Sequence, residues 1–220
     1  MLQEFTAKSF FRRFQRYIDG VCRSAQTTLH GKRKASSDTV PPSTKEIQWL
    51  LEYLKANKCH PVIVGSSALL RHLELTDAEI AKDFRPTADV DIFVHNPLPQ
   101  IPTGWKKDYE SVGVDSWIAP SGGVVDFLLA GHEFPAGPKY PANIAVDPIS
   151  DASGLPVAAI KDLVGLKLNS DRAKDLSDLL LLAQAGGFPS EMKGLNRKQK
   201  ENYAFVMQWL QAKKNEVPPK

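Results

Sequence analysis

The sequence contains little cysteine and no long apolar run. Its two cysteines, Cys22 and Cys59, are too few for a disulfide framework in 220 residues, and neither has the neighbours of a metal-ligand motif. No apolar stretch reaches the roughly 20 residues that a membrane-spanning helix needs. Hydrophobic residues make up 42% and charged residues 24% of the chain, close to the globular average, which excludes wholesale disorder. We therefore expect one folded domain with helical additions, in a reducing, cytoplasmic setting and away from membranes.

Several familiar enzyme motifs are also missing. The chain has no Gly-x-Ser-x-Gly turn, which argues against an α/β-hydrolase. It has neither a Walker A loop nor a dinucleotide fingerprint, because both need more glycines at fixed offsets. Its histidines are scattered without metal spacing, and neither cysteine has a motif neighbour that marks a nucleophile. The carboxylates are therefore the best candidates for chemistry.

The net charge of +3 hides an uneven distribution. Residues 1–35 carry eight basic and two acidic side chains, and residues 191–220 carry seven basic and three acidic ones. The segment between them, 36–190, carries 13 basic and 20 acidic side chains. An acidic body between basic ends fits a protein that binds a polyanion such as RNA. Two solvated basic termini explain the same pattern.

Residues 1–43 are predicted to be a basic helical extension followed by a linker. Phe10, Phe14 and Ile18 recur four residues apart, which places them on one face of a helix. Three hypotheses remain open for this helix: docking on the domain through its phenylalanine face, an arm that binds nucleic acid, or a targeting peptide. Residues 31–44 are polar and include two consecutive prolines, which is typical of a linker.

Periodicity in the rest of the chain predicts an α+β fold. Residues 44–155 are expected to form a small mixed sheet with helices, and residues 156–220 a helical C-terminal region. The Ser43-x-x-Glu46 capping box marks where the first helix of this part begins. Segments 74–86 and 96–108 are predicted to be connections, and 131–155 a loop with at most one short strand near Ile144 to Val146. The predicted helices are 44–57, 66–73, 156–170, 173–185 and 197–214, and the predicted strands are 61–65, 89–94, 112–119 and 123–130.

Three carboxylates lie in apolar strand patterns. Asp89 and Asp91 are two residues apart, so their side chains project from the same face of a strand, and Asp126 lies inside a second apolar strand. If the two strands are neighbours, the three acids converge and repel one another unless a cation neutralises them. Oxygen ligands favour a hard cation, so we expect Mg²⁺ or Mn²⁺. The alternative is that Asp89 and Asp91 are exposed residues of an edge strand, a pattern that simple alternation also produces.

Gly65 and Ser66 follow a short apolar strand and precede a predicted helix. Such a corner can bind phosphate, because glycine lets the backbone approach closely and the helix N-terminus offers unpaired N–H groups. It is also an ordinary connection in which a serine caps the helix.

Together these motifs resemble the nucleotidyltransferase superfamily, whose fold is that of the DNA polymerase beta palm. That family combines an apolar-Gly-Ser motif with an Asp-x-Asp strand and a third aspartate on the next catalytic strand. The matching segments are Val64-Gly65-Ser66, Asp89-Val90-Asp91-Ile92 and Val125-Asp126-Phe127.

The likeness is closest to the AbiEii-like and MNT-type enzymes of toxin–antitoxin systems. Those enzymes carry an Arg-x-Thr/Ser-x-Asp-x-Asp run, which is similar to the segment from Arg85 to Asp91. The resemblance covers about Pro61 to Leu182, with one departure: the 23 residues between Gly65 and Asp89 exceed the usual gap of the family. A downstream helical Lys…Arg…Asp-x-x-Asp pattern is also present, as Lys167, Arg172, Lys174, Asp175 and Asp178.

The resemblance implies a two-metal enzyme that transfers a nucleoside monophosphate from an NTP, such as ATP, to an acceptor hydroxyl. Asp89 and Asp91 would then bind the Mg²⁺ that bridges the triphosphate, and Asp126 would complete the second metal site. Gly65 and Ser66 would bind the β- and γ-phosphates. The acceptor would be RNA, with tRNA slightly favoured, or a protein or a small molecule.

Three further residues receive roles from the same resemblance. Lys167 would give positive charge to the triphosphate, or be a solvated helix lysine. Asp178 would orient Lys167 or contact the ribose or base, or be a surface aspartate. Arg85 would contact phosphate or pair with a carboxylate.

Two other functions remain open from the sequence. One is a nucleotide- or protein-binding module without turnover, comparable to an antitoxin. The other is a nuclease that uses the same acids on nucleic acid.

Overall fold

A computed structural model describes residues 41–84, 87, 89–111, 114–131, 145–146, 154–170 and 172–216. The predicted N-terminal helix therefore lies outside the described residues. In the described part, the chain forms six helices and five strands in an α+β arrangement, which confirms the predicted fold class. The helices are α1 (Thr44–Ala56), α2 (Gly65–Thr76), α3 (Ala78–Ala81), α4 (Ile160–Leu168), α5 (Ala173–Gln184) and α6 (Arg197–Glu216). The strands are β1 (Val62–Val64), β2 (Asp89–Val94), β3 (Lys106–Ser111), β4 (Val114–Ile118) and β5 (Val124–Leu129).

The predicted capping box starts α1. The Ser43 hydroxyl accepts a hydrogen bond from the Glu46 backbone N–H at 3.3 Å, and the Ser43 backbone N–H donates to the Glu46 carboxylate at 2.8 Å. The same carboxylate accepts hydrogen bonds from the backbone and hydroxyl of Ser121, in the turn between β4 and β5. The cap therefore also fixes α1 against that turn. The inward face of α1 buries its four aliphatic side chains, Ile47, Leu50, Leu51 and Leu54.

The five strands form one mixed sheet in the order β1-β2-β5-β4-β3. β2 and β5 are parallel, and the other neighbouring pairs are antiparallel. Successive side chains of a strand point to opposite faces, so Val90 and Ile92 share the face opposite to Asp91. They are buried in one core with the four aliphatic residues of α1. The sheet thus has one apolar face covered by protein and one face that carries carboxylates.

A second core joins the helices of the C-terminal region to α2. Leu69 and Leu73 of α2 are fully buried there with residues of α4, α5 and α6. Ala68, one position earlier, belongs to the core of the sheet. Helix α2 therefore links the sheet to the helical region, and it begins at Gly65. None of the described helices is both long and apolar enough to cross a membrane.

Strand β3 was not predicted, because its residues lie partly in a segment read as a loop. Its sequence is Lys-Lys-Asp-Tyr-Glu-Ser, which lacks apolar alternation. β3 is the last strand of the sheet and pairs only with β4 among the described strands. Charged side chains are typical of such an edge strand, because they discourage pairing with another chain. The short helix α3 also lies in a predicted connection, where the Asp77 carboxylate caps it by accepting from the N–H groups of Glu79 and Ile80.

The remaining elements agree with the periodicity to within a few residues. β2 has the predicted bounds, and α1, α5 and α6 differ from theirs by at most two residues at either end. α4 begins at Ile160, later than predicted, because residues 157 and 158 form isolated bridges with Ile63 and Val146. The division into units 1–43, 44–155 and 156–220 stays a prediction.

Candidate active site

Parallel pairing of β2 and β5 brings the predicted carboxylates to one face of the sheet. Asp91 lies directly opposite Asp126, and Asp89 lies two residues earlier on β2. The expectation that the two strands are neighbours is therefore confirmed. β2 lies between β1 and β5, so the alternative of an edge strand is wrong. We call the part of the sheet that carries Asp89, Asp91 and Asp126 the acid face; all three side chains are half-buried.

Strand β4 contributes a hydroxyl to the acid face. Ser116 pairs with Asp126 across β4 and β5, and its side chain is fully buried. The Ser116 hydroxyl donates a 2.6 Å hydrogen bond to Oδ1 of Asp126. A short hydrogen bond to a carboxylate is among the stronger ones, so Ser116 fixes the orientation of Asp126. No sequence pattern indicated a role for this residue, because a serine in a strand is ordinary.

Burial and neighbouring negative charge perturb the pKa of Asp91. Removal from water, and after it the charges of Asp89 and Asp126, together raise the pKa of Asp91 from 3.8 to about 7. The cations Lys174 and Arg172 act in the opposite direction. The acid face thus holds more negative charge than its surroundings compensate, and two cations of the helical region lie within electrostatic range.

Gly65 is required by the position of Asp91. The Gly65 backbone has φ +68°, a conformation that side chains other than glycine rarely adopt. A Cβ atom at this position would overlap the Oδ2 atom of Asp91. The glycine at the start of α2 and the central aspartate of the acid face are therefore in direct contact. The first turn of α2 has no side-chain cap, because its N-cap residue is Val64.

Ser66 connects this corner to a buried ionic cluster. Its hydroxyl donates to Oδ2 of Asp178 at 3.2 Å, and Nζ of Lys167 donates to the same oxygen at 2.6 Å. Lys167 also donates to Oδ1 of Asp175 at 2.9 Å. The side chain of Lys167 is only 6% exposed and that of Asp178 only 1%. Lys167 is therefore not a solvated helix lysine, Asp178 is not a surface aspartate, and the two are ion-paired beneath the start of α2.

Asp175 holds the other side of this cluster. Its Oδ2 atom accepts hydrogen bonds from the hydroxyl of Ser170 and from Nε of Arg172, each at 2.6 Å. Burial alone would raise the pKa of Asp175, but Lys167 and Arg172, together with the Ser170 hydroxyl, outweigh burial and hold that pKa well below its ordinary value. Asp175 is thus charged, and it holds the side chains of Ser170 and Arg172, which lie just before α5.

The structure brings together seven of the eight predicted site residues in two groups. Asp89, Asp91 and Asp126 form the acid face, with Gly65 in contact with Asp91. Ser66, which follows Gly65, donates a hydrogen bond to Asp178 of the buried Lys167–Asp178 pair. Arg85 lies outside the described residues.

Arg172 and Lys174 were present in the recognised helical pattern but received no role from the sequence. Both side chains are exposed, whereas Lys167, which carried the predicted phosphate role, is buried. Spacing along a helix does not tell which of several cations is exposed, and only the packing of α4 against α5 decides it. Arg172 precedes α5 and Lys174 is its second residue.

The acid face fits a divalent cation by its chemistry. Carboxylate oxygens suit Mg²⁺ or Mn²⁺, and a cation would offset the burial and the repulsion that raise the pKa of Asp91. Within the described ranges, however, no group of three or more His, Cys, Asp or Glu side chains is gathered closely enough to hold a metal ion. Metal binding by Asp89, Asp91 and Asp126 therefore stays a prediction.

No model of a known protein family matches this sequence, and no curated protein matches it either. Among solved structures, the chain is similar to that of the antibiotic-resistance factor ANT(2″)-Ia in solution. The two share 14% sequence identity, and the match covers 79% of this chain and 86% of the other, with a TM-score of 0.37. A likeness of that size carries no functional conclusion, which has to come from the site itself.

Proposed function

We propose that this protein is a metal-dependent nucleotidyltransferase that moves a nucleoside monophosphate from an NTP to an acceptor hydroxyl and releases pyrophosphate. The observation that carries the proposal is the direct opposition of Asp91 and Asp126 on parallel neighbouring strands, with Asp91 in contact with Gly65. This arrangement joins the acids and the glycine corner in one site. The resemblance of the same motifs to nucleotidyltransferases supports the proposal.

Each residue of the site has a role in this reaction. Asp89, Asp91 and Asp126 would hold Mg²⁺, which supplies positive charge for the phosphate oxygens and lowers the pKa of a bound hydroxyl. Asp126, oriented by Ser116, would accept the proton of the acceptor hydroxyl. The glycine and the first backbone N–H groups of α2 would bind the phosphates that leave as pyrophosphate.

RNA, and tRNA in particular, is the acceptor that the charge distribution favours. The residues before 36 and after 190 are basic, while the intervening segment is acidic. Basic ends bind the phosphates of an RNA by releasing its counterions, so binding should weaken as salt increases. A protein or small-molecule acceptor would not show this salt dependence to the same degree.

Pyrophosphate release tests the proposal. The full chain is incubated with Mg²⁺, each of the four NTPs in turn, and total RNA. We expect release with at least one NTP, its loss in Asp91→Asn, and its retention in Asp83→Asn, an exposed aspartate outside the site. Labelling the α-phosphate and separating RNA, protein and small molecules identifies the acceptor. Cleavage of RNA without NTP would indicate a nuclease instead.

A nucleotide- or protein-binding module without turnover is the second candidate. It is favoured by the absence, among the side chains that the structure describes, of a three-ligand metal group. The observation that would establish it is NTP or partner binding by the wild type with no pyrophosphate release. Full biological activity of Asp91→Asn would point the same way.

A further inference from the structure

We infer that Arg172 and Lys174 supply the positive charge for the phosphate chain of the substrate, and that the buried Lys167 is a positioning residue that acts through Asp178 and Ser66. This inference rests on the proposed function, because it assigns roles within the same site. It assigns phosphate binding and positioning to different cations of the helical Lys…Arg…Asp-x-x-Asp pattern, which does not by itself distinguish these two roles.

Lys167 is held too deeply to bind a substrate. Its Nζ atom lies 2.9 Å from Oδ1 of Asp175 and 2.6 Å from Oδ2 of Asp178, and these carboxylates are 2% and 1% exposed. Moving the ammonium group to a phosphate would leave two buried carboxylates without this cation. An uncompensated buried charge is strongly destabilising, so this movement is disfavoured.

The contacts of Lys167 nevertheless lead to the site. Oδ2 of Asp178 accepts hydrogen bonds from both Lys167 and Ser66. Ser66 is the second residue of α2 and follows Gly65, which is in contact with Asp91. Lys167 therefore fixes Asp178, Asp178 fixes the Ser66 hydroxyl, and the first turn of α2 is held against the acid face.

Arg172 and Lys174 are placed where a substrate can reach them. The side chain of Arg172 is 52% exposed although its Nε atom is anchored on Asp175. Lys174, two residues further along, is exposed on the first turn of α5. Both already interact with protein groups. Arg172 is paired with Asp175, which shares Lys167 with Asp178, and Asp178 is hydrogen-bonded to Ser66 at the start of α2. Helix α5, which carries Lys174, packs against α2, whose first residue contacts Asp91.

A phosphate chain suits this pair of cations. The acids favour a divalent cation, and a triphosphate bound to that cation still carries negative charge that extends beyond it. Nε of Arg172 donates to Asp175 and the Arg172 backbone N–H donates to the Ser170 hydroxyl. Because the side chain is already held by Asp175, little of its freedom is lost on binding. A preorganised cation next to an acidic metal site is the arrangement that phosphoryl and nucleotidyl transfer use.

Binding of tripolyphosphate with Mg²⁺ tests the assignment in the full chain. By calorimetry, we expect Lys174→Gln to raise the Kd roughly ten-fold with little change in urea unfolding. Arg172→Gln should raise the Kd to a similar degree but also lower the free energy of unfolding, because the buried Asp175 carboxylate loses one of its cations. Lys161→Gln, on the exposed side of α4, is the matched control and should leave the Kd unchanged. Unchanged Kd values in both variants, or no tripolyphosphate binding by the wild type, would overturn the assignment.

The positioning role of Lys167 is tested by a mutant cycle on the NTP reaction. Lys167→Met and Ser66→Ala should each lower kcat more than they raise KM, and the double variant should be no slower than the slower single variant. If Lys167→Met does not fold, Asp178→Asn takes its place. If the losses of kcat add fully in the double variant, or if the single variants change only KM, then Lys167 does not act through Ser66.

Failure of the inference and failure of the proposed function give different results. Tripolyphosphate binding that depends on Lys174, without pyrophosphate release from any NTP, refutes the transferase but keeps the cation assignment. Pyrophosphate release that depends on Asp91 but is insensitive to Lys174 and Arg172 refutes the assignment and keeps the transferase.

Discussion

Replacement of Asp91 by asparagine tests the burial and the crowding of negative charge on the acid face. The pKa of Asp91 rises from 3.8 to about 7 on folding, so the folded protein binds this proton more tightly than the unfolded chain does. A group whose pKa is raised on folding contributes stability to the protein. This contribution is fully present below the pKa of the unfolded chain and is lost as pH rises through the pKa of the folded protein. The charged form of Asp91 therefore destabilises the protein most above pH 7. Asparagine has the size of the protonated acid and does not titrate.

The magnitude follows from the difference between the two pKa values. Each pKa unit corresponds to about 1.4 kcal/mol, so the full effect of Asp91 is at most about 4 kcal/mol. Between pH 5 and pH 8, linkage gives a change of about 2–3 kcal/mol in the free energy of unfolding. Because the side chain is half-buried and keeps some contact with water, we expect the lower part of that range. Asp91→Asn should thus gain stability relative to the wild type as pH rises.

Urea unfolding at pH 5, 6, 7 and 8, in EDTA, measures this difference for the wild type and Asp91→Asn. Other titrating groups are common to both proteins and cancel in the difference. Asp83→Asn is the control, since that aspartate is exposed. A difference in free energy of unfolding between Asp91→Asn and the wild type that does not change with pH would refute the reasoning. When EDTA is replaced by saturating Mg²⁺, this difference should become smaller at pH 8, because a bound cation stabilises only the wild type with its charged Asp91.

Three other substitutions probe the corner, the acid face and the first helix. Gly65→Ala should destabilise the protein by about 2 kcal/mol and abolish NTP turnover, because the new Cβ overlaps the Asp91 carboxylate; normal turnover would contradict this. Ser116→Ala should cost about 1–3 kcal/mol in urea unfolding and lower kcat, since Asp126 loses a 2.6 Å hydrogen bond; an unchanged kcat would count against an orienting role. Ser43→Ala should cost about 1 kcal/mol with turnover unaffected per folded molecule, and a selective loss of turnover would show that this cap influences the site.

The sequence was informative wherever local pattern determines structure. Two aspartates in an apolar strand had to share a face, and a third in another apolar strand needed only a neighbouring position, which the pairing of β2 and β5 provides. The start of α1 was likewise predicted, because a capping box depends on residues only three apart. These features depend on short-range geometry, which one sequence contains in full.

The features that the sequence missed depend on packing between distant segments. Lys167 and Lys174 are both lysines near helix ends, and nothing in their spacing shows that one is buried by two aspartates while the other is exposed. Ser116 acquires its role only because β4 pairs with β5. Strand β3 forms at the edge of the sheet without any apolar pattern of its own. Tertiary contacts decide each of these outcomes.

The site also crosses the boundary that the sequence placed near residue 155. Its carboxylates come from the sheet, but the residue that fixes Ser66 is Asp178, which belongs to α5 and is charge-paired with Lys167 of α4. Helix α2 contacts both parts, with Ala68 in the core of the sheet and Leu69 in the core of the helices. The helical region thus contributes to the geometry of the acid face as well as to stability. A change in the packing of α4 or α5 would therefore reach the site through α2, without contact with any of the three carboxylates.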